Sequence, residues 1–154
     1  MSNPSQTMIA EQALRRVDDV LAGRDCAWPI AVGECKLLIV LKPHVGKAQA
    51  LPLSELALRL ETNPRSIKLW VNSLRVNFGV QIGASRDADA GGYYIISSAA
   101  EALESTQYLV NQATSMWRVV RVLRGRHATA EIYGQVRIEL DLDSPQEGTN
   151  AEQA

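Results

Sequence analysis

The chain has 154 residues, 46% of them hydrophobic and 21% charged, with a formal net charge of −1. This length is enough for a domain with a buried core, and the composition is ordinary for a globular protein. The longest apolar run, Leu37–Leu41, is far too short for a membrane span, and acids and arginines stand where a secretory signal needs an apolar segment. We therefore expect a cytoplasmic protein without a membrane partner.

The cysteine and histidine content argues against metal chemistry. The chain has two cysteines and two histidines, without a CxxC pair, so no metal site is expected. Walker A, GxSxG and dinucleotide-binding motifs are also absent from the sequence. We expect no cofactor and no enzymatic activity.

The small net charge hides an uneven distribution. Residues 33–98 carry eight Lys/Arg and five Asp/Glu, whereas residues 139–154 carry five acids and no base. A basic centre permits nucleic-acid binding without requiring it.

The N-terminal part predicts two helices. Residues 8–22 place apolar side chains on one helical face, and Gly23 is a plausible stop. The segment 25–32 is predicted to be a connector, because residues that precede a proline avoid helical angles. An apolar helix is then expected over 34–42, followed by a loop over 43–50. The apolar face of the first helix comprises Ile9, Ala13, Leu14, Val17, Val20 and Leu21.

The next two helices are separated by a short turn. A stripe of Leu53, Leu56, Ala57 and Leu60 predicts the first of them. Asn63 is a favourable N-cap, and Pro64 fits the first helical position, so a second helix is expected over residues 63–75. Two helices joined so closely must cross steeply, as in a helix-turn-helix. The second helix is expected to bury the stripe Ile67, Trp70, Val71 and Leu74.

A β-hairpin is predicted after this helix. Val80–Ile82 alternates, residues 83–92 form a polar loop, and Tyr93–Ile96 is rich in β-formers. The stretch GVQIGASRDADAGGYYI resembles the wing of the winged helix-turn-helix domains of the biotin-repressor and deoxyribose-repressor type. The resemblance covers residues 33–96, about two-fifths of the chain.

The resemblance implies that helix 63–75 enters the major groove of double-stranded DNA and that the wing tip, 84–90, touches the backbone or the minor groove. Arg and Asn can bind guanine and adenine bidentately, Lys more often holds a phosphate, and an apolar side chain can meet a thymine methyl. The expected DNA-binding residues are Asn63, Arg65, Ser66, Lys68, Leu69, Asn72 and Arg86.

Two features of the sequence keep an alternative open. Glu61 stands in the turn where the family tends to have glycine, and Asp87 and Asp89 flank Arg86 in the wing. A wing with one cation and two anions gains little from counterion release. The alternative is a winged-helix protein-interaction module, an adaptor or anti-regulator, without DNA affinity of its own.

A long helix is predicted over residues 99–124. Ser98 and Glu101 form a capping box, and no Pro or Gly follows before Gly125. Its apolar positions approach a coiled-coil seam, so we expect a homodimer. The alternative is that this helix and the N-terminal helix pack against residues 33–97 of the same chain. The expected dimerisation residues are Leu103, Val110, Ala113, Trp117, Val120 and Leu123.

Arginines cluster at the end of this helix, at positions 118, 121, 124 and 126. They either complement the helix dipole or hold phosphates. Beyond them, alternation of Val136, Ile138, Leu140 and Leu142 predicts a strand within 130–142. Residues 143–154 are expected to be a disordered acidic tail.

The expected fold is mainly α with a small β-hairpin wing, an α+β protein. Its parts are an N-terminal helix and connector (1–32), a winged helix-turn-helix (33–97), a dimerisation region (98–142) and the tail (143–154). The function expected from this arrangement is a dimeric transcriptional regulator that reads a palindromic DNA site, of a size suited to a plasmid or phage regulator. A further protein partner is also compatible with it.

Overall fold

The structure, a computed structural model, describes residues 4–88 and 91–142. Within these residues it contains six α-helices and one two-stranded antiparallel sheet, so the mainly helical α+β expectation is confirmed at this level. The elements are α1 (Pro4–Leu21), α2 (Val32–Leu41), a 3₁₀ turn (Lys47–Gln49), α3 (Leu53–Arg59), α4 (Pro64–Phe78), β1 (Ile82–Ser85), β2 (Gly92–Ile95), α5 (Ala99–Arg124) and α6 (Arg126–Leu142).

The chain divides into two compact units, residues 1–107 and residues 108–154. The first unit has a continuous apolar core to which α1, α2, α3, α4 and the hairpin all contribute. The predicted apolar face of α1 lies in this core through Ala13, Val17 and Val20. The N-terminal helix is thus packed together with the segment that follows it.

Helix α4 begins and ends with standard caps. The side chain of Asn63 accepts a hydrogen bond from the Ser66 amide at 2.9 Å, and Pro64 is the first helical residue. At the other end Gly79 adopts φ of 64°, a left-handed conformation that favours glycine. The predicted start is therefore confirmed, while the helix continues three residues past Arg75 to Phe78.

The hairpin begins later than the sequence predicts. Strand β1 runs over Ile82–Ser85 and pairs with β2 from Ile82 opposite Ile95 to Ser85 opposite Gly92. The expectation of a strand over Val80–Ile82 was wrong in its start, because the amide of Val80 bonds to the Leu74 carbonyl at 3.0 Å and completes the end of α4.

Strand β2 also contacts the chain that precedes α3. Leu51 and Tyr93 exchange two backbone hydrogen bonds, of 2.8 and 3.0 Å, in an antiparallel bridge. At Gly92 a Cβ would lie 2.2 Å from the Leu51 carbonyl oxygen, so this close approach requires glycine. The hairpin is therefore fixed to the segment in front of α3.

The predicted Ser98 caps the start of α5, while the Glu101 carboxylate of the predicted capping box binds the preceding residue and the 3₁₀ turn. The hydroxyl of Ser98 accepts from the Glu101 amide at 3.2 Å. The Glu101 carboxylate accepts from the backbone amides of Ser97 at 2.7 Å and of Lys47 at 2.8 Å. These hydrogen bonds hold the pKa of Glu101 below its ordinary value, although desolvation, the largest single contribution, opposes them.

The predicted C-terminal strand was wrong. Residues 126–142 form helix α6, which includes the Val136–Leu142 segment. Alternating apolar residues also recur at i and i+4, so a short alternation fits a helix face as well as a strand. Gly134 lies inside α6, where a glycine costs only about 1 kcal/mol relative to alanine. The predicted tail, 143–154, lies outside the described residues.

Candidate nucleic-acid interface

One face of α4 packs against the core, and the opposite face is exposed to solvent. Ile67, Val71, Leu74 and Phe78 are buried, and Trp70, predicted to be core or half-core, is half-buried. The ring of Trp70 lies so close to Gly33 of α2 that a Cβ there would approach its Cζ2 to 2.2 Å. The core therefore fixes how α4 is rotated about its own axis.

The opposite face carries most of the predicted DNA-binding residues. At about 100° per residue the side chains at positions 65, 68, 69 and 72 fall within an arc of roughly 100°. Arg65, Lys68, Leu69 and Asn72 are all exposed, and Ser66 is half-buried at the edge. The structure thus brings these residues together on one face of the helix.

Both cations of this face lack a partner in the part of the chain that the structure describes. Neither Arg65 nor Lys68 forms a hydrogen bond or an ion pair with any residue that the structure describes. By contrast, Lys42 pairs with Asp18 at 2.6 Å elsewhere in the same unit. A guanidinium and an ammonium group on one face can bind phosphate oxygens or base edges without first breaking an internal contact.

Asn63, unlike the other predicted DNA-binding residues, has its side-chain oxygen engaged in capping α4. Its Oδ1 accepts from the Ser66 amide at 2.9 Å and lies 3.3 Å from the Ser66 hydroxyl. Both lone pairs of this oxygen are therefore engaged in capping α4. Only the Nδ2 group of Asn63 is left for an external acceptor such as a phosphate oxygen.

Sequence reasoning missed one residue on this face. Val76 is seven residues beyond Leu69 on the same side of α4 and is 73% exposed. The spacing from Leu69 could have indicated it.

The turn between α3 and α4 has an unusual backbone at the position where the resembled family tends to have glycine. Glu61 has φ of +49°, in the left-handed region. This conformation costs a non-glycine residue roughly 1–2 kcal/mol. The carboxylate of Glu61 also puts a negative charge two residues before the cap of α4.

One of the two wing acids forms an ion pair within the chain. Asp87 forms an ion pair with Lys47 of the 3₁₀ turn at 2.8 Å, and Lys47 also contacts Glu104. The hydrogen bond from Lys47 holds the pKa of Asp87 below its ordinary value. Arg86 is exposed, while Asp89 lies outside the described residues. Because Lys47 is shared by Asp87 and Glu104, this cluster keeps a net charge of −1 beside the wing.

Arg75 connects α4 to the hairpin. Its Nε donates to the Ile82 carbonyl at 2.8 Å, and its guanidinium carbon lies 6.0 Å from the centre of the Tyr93 ring. Burial lowers the pKa of Arg75. This cation at the end of the predicted recognition helix has a structural role and fixes the base of the wing.

The predicted dimerisation residues lie on α5, none of whose residues is buried. Leu103, Val110, Ala113 and Leu123 are exposed, and Val120 is half-buried. Trp117, also half-buried, contacts Tyr133 of α6 edge to face, with ring centres 6.1 Å apart. Trp117 therefore packs against α6 of the same chain, which is a different contact from the packing against residues 33–97 that the alternative to a dimer supposed.

Other kinds of site find no support among the described residues. No group of three or more His, Cys, Asp and Glu side chains there could hold a metal ion. The helices of residues 4–88 and 91–142 include none with the length and apolarity of a transmembrane segment. Comparisons of the chain with protein-family models, with curated proteins and with solved structures find no match. The winged-helix resemblance thus stays a prediction.

Proposed function

We propose that this chain is a winged helix-turn-helix protein that binds double-stranded DNA and acts as a dimeric transcriptional regulator. The observation that carries the proposal is the exposed face of α4, where Arg65, Lys68 and Asn72 lie together and the two cations have no partner among the described residues. The first turn of such a helix is the part that a helix-turn-helix presents to base edges.

The order of the elements supports this reading. Helices α2, α3 and α4 are followed by the β1–β2 hairpin, and the Leu51–Tyr93 bridge adds a strand-like contact before α3. This is the order of a winged helix, with α4 as the recognition helix and the β1–β2 loop as the wing. In this arrangement Arg75 keeps the wing in a fixed position relative to α4.

A dimer is proposed through α5. Because Trp117 packs against Tyr133, the remaining apolar side chains form a seam that is rotated slightly from the one predicted. Its members recur at spacings of 4, 3, 4 and 3, the heptad pattern of a coiled coil. Two chains paired in this way could read half-sites about 34 Å apart. The proposed seam comprises Leu109, Ala113, Met116, Val120 and Leu123.

A second candidate function is a protein-interaction module without DNA affinity. The observation that favours it is the exposure of large apolar side chains on α3 and α4. Leu58 is 79% exposed, Leu69 62% and Val76 73%. Apolar patches on a soluble protein often mark protein contacts, and the same three residues would then bind a partner.

The two functions are separated by a DNA titration at two salt concentrations. Cognate sequences are first selected from a random DNA pool, and binding is then measured by gel shift or fluorescence anisotropy at about 50 and about 200 mM salt. Binding through 6–10 phosphates should weaken by about 10³–10⁵-fold over this range. Absence of binding at micromolar protein and low salt would favour the interaction module.

Variants of α4 then test the reading face. Arg65→Ala and Asn72→Ala should each weaken binding to the selected site by about 1–3 kcal/mol. Lys68→Ala should weaken binding to all sequences and lower the salt slope by about 1. Arg15→Ala is the matched control, since Arg15 is an exposed arginine of α1. If the α4 variants bind like the control, the assigned face is wrong.

Light scattering tests the dimer. Leu123→Glu, on both the predicted and the rotated seam, should give a monomer, because a buried charge opposes pairing. Val110→Glu, on the predicted seam alone, should stay dimeric if the rotated seam forms the interface. Val122→Glu is the matched control, because Val122 is 83% exposed and lies outside the seam. A folded Leu123→Glu variant that stays dimeric would exclude this interface.

A further inference from the structure

The second unit contains a groove that the proposed DNA-binding function does not use. It lies between α5 and α6 and has a volume of about 670 Å³. Residues at i, i+3, i+4 and i+7 of each helix line it, from Thr114 to Arg121 on α5 and from Arg126 to Tyr133 on α6. Single faces of two neighbouring helices thus form one continuous concave surface.

Two aromatic rings line part of this groove. Trp117 and Tyr133 meet edge to face at 6.1 Å with an interplanar angle of 75°. Tyr133 is 59% exposed, so an aromatic surface remains accessible beside the contact. A planar aromatic ligand can stack on such a surface, and nucleobases do so regardless of their sequence identity.

Three arginines line the same groove. Arg118, Arg121 and Arg126 form no ion pair with the side chains that the structure describes, and no lining residue is acidic. Residues 108–137 contain five arginines and one acid, Glu131. Three guanidinium groups without a carboxylate partner among the described side chains favour an anionic ligand, and the planar fork of arginine suits phosphate in particular.

We infer that this groove binds a nucleoside di- or triphosphate. The base stacks on the rings of Trp117 and Tyr133, and the phosphates are held by Arg118, Arg121 and Arg126. The volume falls within the range of about 300–1,000 Å³ that is usual for small-molecule sites. The inference depends on neither α4 nor DNA, so it stands or fails independently of the proposed function.

The test is calorimetric titration of the full-length protein with ATP and GTP, supported by tryptophan fluorescence. Saturable binding is expected. Arg121→Ala and Arg126→Ala should each weaken it at least about 10-fold, as expected for the loss of a hydrogen bond between charged groups. Arg124→Ala is the matched control, since Arg124 lies on α5 outside the groove lining, and it should change binding less than about two-fold.

The aromatic half of the site is tested separately. Tyr133→Leu should weaken nucleotide binding but leave pyrophosphate binding unchanged, and circular dichroism will verify that each variant retains its helices. Trp117→Phe, which keeps an aromatic ring, should retain binding within about three-fold.

Four results would overturn the inference. The first is absence of saturable binding, and the second is an equal loss in Arg124→Ala, which would indicate unspecific attraction to positive charge. The third is pyrophosphate binding as tight as that of ATP, which would leave only an anion site. The fourth is much tighter binding of a single-stranded oligonucleotide than of the free nucleotide, which would make the groove a binding site for single-stranded nucleic acid.

Discussion

In the turn before α4, two substitutions of Glu61 can distinguish the effect of backbone strain from the effect of charge. Glu61 combines a left-handed backbone, with φ of +49°, and a negative charge beside the proposed DNA-binding face. Glu61→Gly removes both the side-chain strain and the charge. Glu61→Gln removes the charge but retains the strain, and is therefore the matched control.

The difference in stability between these two variants can be worked out from the backbone. A left-handed conformation costs a non-glycine residue roughly 1–2 kcal/mol. Glycine offsets about 0.5–1 kcal/mol of this through its larger conformational entropy in the unfolded chain. Any loss of attraction between the carboxylate and the α4 dipole is common to both variants. Subtracting the central values, Glu61→Gly should be more stable than Glu61→Gln by roughly 0.75 kcal/mol.

Urea denaturation followed by circular dichroism measures this difference. In thermal melts, each kcal/mol of this difference corresponds to a shift of the Tm by about 2–4 °C. Both variants should bind DNA about two- to five-fold more tightly than the parent, because each lacks one exposed anion near the phosphates. If Glu61→Gly is no more stable than Glu61→Gln, the strain argument is refuted. If neither variant binds DNA more tightly, the carboxylate does not face the phosphates.

Three further predictions concern the packing of the first unit. Leu74→Ala, which truncates a fully buried side chain, should lower the free energy of unfolding by about 2–5 kcal/mol in urea titrations; a smaller loss would mean that the core closes around the gap. Gly33→Ala should cost about 1–3 kcal/mol, because its Cβ would collide with the Trp70 ring, and Trp70→Phe in the same chain should recover part of the loss. Glu101→Gln should remove stability that is present above the ordinary carboxyl pKa of 4.5. Because the pKa of Glu101 is lower in the folded than in the unfolded state, the parent loses this advantage as the pH falls below about 4.5. The free energies of unfolding of the parent and of Glu101→Gln, measured against pH, should therefore converge in acid. A difference that stays constant with pH would contradict the role of the Glu101 carboxylate.

Sequence reasoning was most accurate where local chemistry decides the structure. The Asn63–Pro64 pair fixes the start of α4, because the cap and the fixed φ of proline act within one turn. Ser98 fixes the start of α5 in the same way. The buried stripe of α4 follows from helical spacing alone. These elements need no knowledge of distant parts of the chain.

Contacts between distant segments could not be predicted in this way. The ion pair of Lys47 with Asp87 joins residues that are forty positions apart, and nothing in either local sequence indicates it. The hairpin start depends on how Val80 completes α4, which is a competition between two hydrogen-bonding arrangements. Helix α6 was missed because a short alternation does not distinguish a strand from a helix face.

The hydrogen bonds of the cations distinguish side chains that stabilise the fold from those to which DNA binding is proposed. Arg16 and Arg75 donate to backbone carbonyls, with distances of 2.7 and 2.8 Å, and thereby hold helix ends and the hairpin in place. Lys47 pairs with two acids near the wing. These three residues are explained by the stability of the fold. Arg65 and Lys68 form no such contact with the described residues, so their effect on stability should be small. Under the proposed function, the phosphates of a DNA groove are the external anions that both side chains bind on the outer face of α4.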